Sequence, residues 1–399
     1  MLLFLSAALR ALSAHLSLVT SKSLCDDAFA FIIAAMKEFL SSSEVQIQGF
    51  KAIGSLVRAL NSNMGHTAWV AVTVSMEHHR TNLLVHRAGC STLQMLYAKT
   101  TIGHSEWSNN KRPLRASKDS DREGGALALI SAMFVFPQDV RIQWYACSTM
   151  WNLVHCAGIK SVLDMVNYGA VVAVVGAMVV CRTNEVVQHE GCNVLGTMAK
   201  TLAENGFKFD HISRPTLVVD TTASEVVGEC GSVNSLNVYK DNKKVGVQHD
   251  EMKASATVDD WWAALWAVVG AMKAFGNSES VQSYGTYALG CMLKVFTEAV
   301  PSGLSFDPLS SSDFICYSGD IKSLFDSRTA QSGRQTAKKD LSVLNGIDMD
   351  FTGNVLDGIG ELHTVVEIVM AAMREFPKIE TIQIWGCAVL QQDFLLISN

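Results

Sequence analysis

The sequence is poor in proline and in charged side chains. Only 6 of its 399 residues are proline and charged residues make up 18%, whereas hydrophobic residues make up 49%. Chains that are disordered throughout have the opposite composition, so this chain has ample material for a packed core. Its net charge of −6, with no basic block, argues against nucleic-acid binding through clustered Lys and Arg.

Long apolar runs are also lacking. The longest uncharged apolar run, Tyr168 to Cys181, and the next, Trp261 to Met272, are both shorter than the roughly 18 to 20 residues that cross a bilayer. We therefore predict buried helices of a soluble protein and no membrane insertion. The apolar residues 1–15 fit either a signal peptide or the last helix of a lost repeat. Arg10 interrupts them and no basic residue precedes them, which favours the helix.

The ten cysteines form no CxxC pair and no cluster at zinc-finger spacing. Free cysteine is among the most buried residue types, so we expect reduced thiols in a helical core. Reduced thiols persist in reducing compartments, which predicts a cytoplasmic or nuclear protein.

A methionine recurs in six segments, each time with the same kinds of residue at fixed distances after it. The six are Met36, Met76, Met133, Met178, Met272 and Met373. Ten residues after each methionine stand Gln46, His86, Gln143, Gln188, Gln282 and Gln383. Thirteen residues after it stand Gly49, Gly89, Ala146, Gly191, Gly285 and Gly386. The next position is cysteine in four segments, at Cys90, Cys147, Cys192 and Cys387. This regularity indicates an internal structural repeat.

Apolar residues spaced by three and four on both sides of a polar turn predict that each segment is a helical hairpin. Glycine within a helix costs about 1 kcal/mol of propensity, so its recurrence predicts a close helix crossing. We expect the recurring cysteines to pack in the core, since stacked repeats lie roughly 10 Å apart and could not share a metal ion. For the recurring glutamine two alternatives stay open: bonding the backbone of the preceding turn, or holding a partner's main chain.

The segments NEVVQHEGCNVLGTMA, DVRIQWYACSTMWNLV and ESVQSYGTYALGCML resemble armadillo repeats. They are most similar to a subclass, common in protist proteins, in which a helix opens with VQ and continues with GCxxL. The resemblance covers Ala28–Ala98, Ala126–Leu202, Asp259–Phe296 and Gly358–Gln392. It implies an all-α, right-handed α-solenoid, an armadillo- or HEAT-like superhelix with long inserted loops. It also implies a scaffold or adaptor that binds partners along a concave groove.

Met36 and Met76 are 40 residues apart and Met133 and Met178 are 45 apart, within the roughly 40 to 47 residues of armadillo and HEAT units. The other intervals, of 57, 94 and 101 residues, imply insertions. The predicted plan is a partial helix of a preceding repeat at 1–27, repeats 1–2 at 28–100, an insertion at 101–124, repeats 3–4 at 125–202, an insertion at 203–258, repeat 5 at 259–296, an insertion at 297–357 and repeat 6 at 358–399. The insertions fit long loops or disordered segments, a strand pair within 216–228, or mistranslated intervening sequence.

The expected function is non-catalytic binding of a protein or extended peptide in the groove. Repeats 3 and 4 are interrupted by no long insertion, and they carry aromatic and charged side chains of the types enriched in binding hot spots. The candidate protein-binding residues are Arg141, Trp144, Asn152, His189 and Glu190. Trp144 could instead pack under a neighbouring repeat. Asn152 follows Trp151 as in the Trp/Asn ladder of nuclear-import carriers, but the equivalent positions hold no other asparagine, so no ladder exists.

Enzyme signatures are missing from the sequence. It contains no GxxxxGK phosphate loop and no GxSxG nucleophile elbow, so we predict no catalytic residue, no cofactor and no metal site. An alternative is a regulatory or docking fragment of a larger multidomain protein with a catalytic domain elsewhere; an enzyme in its own right is a third. The sequence indicates neither the partner's identity nor an oligomeric state.

Overall fold

The computed structural model describes residues 6–11, 14, 22–57, 62–102, 119–156, 159–206, 258–299 and 358–398. Within these ranges the chain forms helices and short turns and contains no strand. The prediction of an all-α fold is therefore confirmed for the described residues.

The helices vary in length, and two short ones, α7 and α8, follow each other directly. They are α1 (Lys22–Glu38), α2 (Ser43–Leu56), α3 (Ser62–His78), α4 (Leu83–Ile102), α5 (Asp119–Val135), α6 (Val140–Cys156), α7 (Ile159–Asn167), α8 (Ala170–Val180), α9 (Glu185–Glu204), α10 (Val258–Ala274), α11 (Glu279–Ala299), α12 (Gly358–Glu375) and α13 (Glu380–Ser398). Residues 6–11 are also helical.

The same tight turn joins six pairs of helices: α1–α2, α3–α4, α5–α6, α8–α9, α10–α11 and α12–α13. After α8, the N–H of Cys181 donates to the carbonyl oxygen of Ala177 and the N–H of Asn184 donates to that of Cys181, both at 2.9 Å. Asn184 then caps α9, because its side chain accepts a hydrogen bond from the N–H of Val187. The residues in the same place before α2, α4, α6 and α11 cap their helices in this way: Ser42, Asn82, Asp139 and Ser278.

The hairpins pack against one another in chain order. The second helices of the hairpins, α2, α4, α6, α9, α11 and α13, each contact the next one along the chain. The first helices follow the same rule, from α1 to α3, α5, α8, α10 and α12. The additional helix α7 also contacts α5, and the turn between α7 and α8 contains Gly169 at a φ of 86°, a left-handed conformation that glycine adopts without steric cost.

The recurring methionine and glycine meet in the core of each hairpin. Met178 is 2% exposed, and a Cβ added to Gly191 would lie 2.6 Å from both Cγ and Sδ of Met178. The glycines of four other hairpins face their own methionine equally closely: Gly49, Gly89, Gly285 and Gly386. The predicted close crossing is confirmed. Glycine fits at this position because the methionine side chain occupies the space that a Cβ would need.

The recurring glutamine is a structural residue. The Nε2 of Gln188 donates to the carbonyl oxygens of Met178 and Cys181, at 2.8 and 3.1 Å, so it closes the turn. Four further glutamines make the same two bonds: Gln46, Gln143, Gln282 and Gln383. The first of the two alternatives for this position is confirmed. His86, in the same position, is buried, and its ring centroid lies 5.0 Å from that of Phe136.

The recurring cysteine packs in the core in three of its four positions. Cys90, Cys147 and Cys192 are fully buried, and burial raises the pKa of the Cys192 thiol to about 12. The prediction is wrong for Cys387, which is exposed. The physical reason is that no helix of the described residues follows α13 to cover this side.

Helix bounds differ from the predicted plan at six places. Helices α4 and α11 extend to Ile102 and Ala299, past the predicted limits at 100 and 296, and α10 begins at Val258, inside the predicted insertion 203–258. Helix α1 begins at Lys22, inside the predicted partial repeat 1–27, and α5 begins at Asp119, inside the predicted insertion 101–124. Helix α9 continues to Glu204, past the predicted limit at 202. Residues 103–118, 207–257 and 300–357 lie outside the described residues, and the predictions of loops, disorder or a strand pair fall there.

No single helix of the described ranges is both long and apolar enough to cross a membrane. Helices α7 and α8 are long and apolar enough only when they are taken together as one segment. Their axes are bent by 62° at the break between them. Residues Ala170–Met178 of α8 are all buried within the protein.

Candidate functional site

Partly exposed aromatic side chains lie on the second helices of successive hairpins. We call this set the aromatic row: Trp144 and Trp151 on α6, Tyr284 and Tyr287 on α11, and Trp385 on α13. Helix α9 packs between α6 and α11 and contributes His189 and Glu190 to the same surface. The row thus spans four consecutive second helices.

Contacts link these side chains from helix to helix. The ring of His189 stacks on that of Tyr284, with centroids 5.7 Å apart. The Tyr287 ring meets Trp385 edge-on at 5.0 Å, and its hydroxyl donates to Thr197 Oγ1 at 3.5 Å. These contacts connect α9 to α11 and α11 to α13 along the surface.

Glu190 is a largely desolvated carboxylate within this surface. Only 13% of its side chain is exposed, and burial raises its pKa above the usual range for glutamate. Ser148 and Trp144 of α6 oppose that shift, because each directs a hydrogen-bond donor toward the carboxylate. Ser148 Oγ itself accepts a hydrogen bond of 3.2 Å from Gln94 Nε2 on α4, which leaves its own proton for Glu190.

His189 does not neutralise this carboxylate near pH 7. Its Nε2 lies 3.7 Å from Glu190 Oε1, but burial lowers the pKa of the imidazole, with the Glu185 charge opposing that shift. A histidine whose pKa falls below its ordinary value of about 6.5 is mostly uncharged at pH 7. The contact between His189 and Glu190 is therefore not an ion pair under those conditions.

No Lys or Arg within the described residues forms an ion pair with Glu190. Its charge nevertheless reaches the neighbouring helix, since it adds to the effect of burial in raising the pKa of the Tyr284 hydroxyl. Two other carboxylates differ in this respect. Arg87 Nε donates to Asp139 at 2.6 Å, and Arg10 Nη2 donates to Glu44 at 3.1 Å.

Three of the five predicted site residues come together, and two do not. Trp144, His189 and Glu190 lie at the α6–α9 contact, and Trp144 also packs against the core and stacks on Tyr145 at 4.9 Å. Arg141 is exposed in the first turn of α6, and its side chain pairs with no carboxylate of the described residues. Asn152 is 4% exposed and donates to the carbonyl oxygen of Ser148 in its own helix, at 2.9 Å.

The sequence prediction missed the part of the surface beyond α9, as well as Gln94 and Ser148. A signal for some of it exists: Glu190, Tyr284 and Trp385 each stand twelve residues after the recurring methionine. The residue type at that position varies from repeat to repeat, so the pattern of recurring residues does not reveal it.

The described residues contain no group of three or more His, Cys, Asp and Glu side chains that could hold a metal ion. The surface combines flat aromatic rings, neutral donors and one carboxylate. These are the groups that bind a polypeptide through apolar contact and a small number of polar anchors.

The raised pKa of Glu190 predicts an effect of pH on stability. A group whose pKa is higher in the folded protein stabilises the fold below its unfolded pKa, about 4.3, and loses that contribution as pH rises. Glu190→Gln keeps the acceptor oxygen and removes the charge. We therefore expect the stability of Glu190→Gln relative to the parent protein to be greater at pH 7 than at pH 4, measured by urea unfolding. Glu204→Gln, which removes an exposed carboxylate from the same helix, is the control. If the stability of Glu190→Gln relative to the parent protein is lower at pH 7 than at pH 4, the Glu190 charge is not buried.

Comparison with known proteins gives no assignment: no family model, no curated protein and no solved structure matches the chain.

Proposed function

We propose that this chain is a non-catalytic protein-binding scaffold of the armadillo type, in which the second helices bind an extended segment of a partner protein. The observation that carries the proposal is the aromatic row. Trp and Tyr supply large contact area at low cost in conformational entropy and dominate binding hot spots. Here they are partly exposed on helices that pack side by side in chain order.

The proposed architecture is a right-handed solenoid with a concave groove along the second helices. Its support is the recurring turn, the recurring glutamine that closes it, and the contacts from each hairpin to the next. Stacked hairpins with a small rotation per unit produce such a groove. The handedness comes from the resemblance to armadillo repeats.

Binding of extended peptides tests this proposal. Random ten-residue peptides displayed on phage are selected against the full chain, and the selected peptides are measured by fluorescence anisotropy. We expect the double variant Trp144→Leu with Tyr284→Leu to bind them at least tenfold more weakly, a loss of about 1.4 kcal/mol. Leucine keeps apolar packing at both sites, and circular dichroism checks that the variant is folded.

The matched control changes exposed apolar residues on first helices, which lie outside the proposed groove. Phe31 on α1 is 45% exposed and Leu127 on α5 is 49% exposed. The double variant Phe31→Leu with Leu127→Ala should bind as the parent does. Equal weakening by both double variants, or failure to select any peptide, would contradict binding along the second helices.

A further inference from the structure

Glu190 is the feature of this surface that the proposed function leaves unexplained. Its carboxylate is largely withdrawn from water, its histidine neighbour is uncharged near pH 7, and it has no Lys or Arg partner among the described residues. An unpaired charge in such a place destabilises the fold, whereas Asp139 and Glu44 are both paired with arginine.

The surroundings of Glu190 favour a cation. Trp144 lies on α6, the second helix of the preceding hairpin. Tyr284, whose ring stacks on His189, lies on α11, the second helix of the following hairpin. Aromatic faces attract Lys and Arg, by about 0.5 to 2 kcal/mol as exposure falls. Coulombic attraction is also stronger where the effective dielectric constant is below that of water. We call this group the carboxylate notch: Glu190, Trp144, Ser148, His189 and Tyr284.

We infer that the carboxylate notch is a subsite for a Lys or Arg side chain of the partner's extended segment. The inference rests on the proposed function and specifies its ligand. The cation would supply the missing charge partner of Glu190, and its apolar stem would pack against the aromatic row. The five residues come from three neighbouring second helices, so the subsite exists only when these hairpins are stacked.

A peptide array tests the inference with the full chain. Ten-residue peptides with randomised flanks carry one fixed central residue: Lys, Arg, Gln, Glu or norleucine. We expect the parent protein to bind the Lys and Arg sets at least tenfold more strongly than the Gln, Glu and norleucine sets. Glu190→Gln should lose this preference, while Glu204→Gln, with the same charge change at an exposed site on the same helix, should keep it.

A double-mutant cycle then assigns the contact. One Lys peptide from the array and its Lys→Gln counterpart are titrated against the parent and Glu190→Gln by fluorescence anisotropy. If the lysine occupies the notch, each change alone weakens binding about tenfold and the two together weaken it no further. Circular dichroism checks the fold. If Glu190→Gln does not fold, Tyr284→Leu replaces it in the cycle, because Tyr284 also belongs to the notch. The preference for the Lys peptide over its Lys→Gln counterpart should then be weaker than in the parent, and Glu204→Gln should keep it.

The outcomes separate this inference from the proposed function. Binding that depends on Trp144 and Tyr284 but shows no preference for Lys or Arg would overturn the inference and leave the proposed function intact. A preference for Lys or Arg that Glu190→Gln retains would also overturn it. Absence of any peptide binding would contradict both.

Discussion

Replacing Met178 with Asp is expected to lower the free energy of unfolding by about 3 to 5 kcal/mol, the range observed when a charge is left buried without a partner. Met178 is almost completely buried against Gly191, in the interior of the α8–α9 hairpin. Residues Ala170–Met178 of α8 are all buried, so the aspartate would have little access to water. Urea unfolding of the purified variant measures the change.

The control for this prediction is Met178→Leu, which keeps the side chain apolar and close to the same volume. Such substitutions cost less than about 1.5 kcal/mol. If the Asp and Leu variants unfold at the same urea concentration, Met178 is not a core residue and the alignment of the six hairpins is wrong. A Met178→Asp protein that does not fold at all agrees with the prediction.

Gly191→Leu is expected to destabilise the same hairpin by about 1 to 3 kcal/mol or more, through overpacking. A Cβ at this position already lies 2.6 Å from Met178, closer than carbon and sulfur atoms approach without repulsion. Leucine adds three further carbon atoms to that space. The α8–α9 crossing would have to open, and the turn that Gln188 closes would be displaced. Thermal and urea unfolding both report the effect.

Gly65→Leu on α3 makes the same substitution where there is room. A Cβ at Gly65 meets no atom within 4 Å. Leucine also has the higher helix propensity, by up to about 1 kcal/mol. We expect this variant to be as stable as the parent or slightly more stable. Equal destabilisation at both sites would show that glycine is needed for backbone reasons and not for the close crossing.

The hairpins could be predicted from sequence because their determinants are local. Apolar spacing specifies each helix, and the methionine, glutamine and glycine that join the two helices lie within thirteen residues of each other. The structure shows that these residues contact one another inside a single hairpin. The first turns of helix α5, from Asp119, were predicted as part of an insertion because they are polar and resemble a loop in composition.

The candidate site was predicted less completely because it forms between hairpins. Asn152 stands next to Trp151 in sequence, yet it is buried, whereas Trp151 is partly exposed. Tyr284 lies 94 residues after Glu190 and still acts on the same surface, because α11 packs against α9. Spacing within one repeat cannot say which side chains a neighbouring repeat will cover.

The sequence by itself determined that the described residues are helical, the position of each recurring methionine and of the small residue that faces it, and the turn-closing role available to glutamine. These depend on helix periodicity and on contacts over a short stretch of chain. Only the tertiary structure decided that Glu190 is withdrawn from water beside Trp144 and Ser148, and that Cys387 is exposed while Cys192 is buried. The physical reason is that burial and pKa depend on the hairpin packed alongside. Helices α6 and α11 pack on either side of α9, which carries Glu190 and Cys192, whereas no helix of the described residues covers Cys387 on α13.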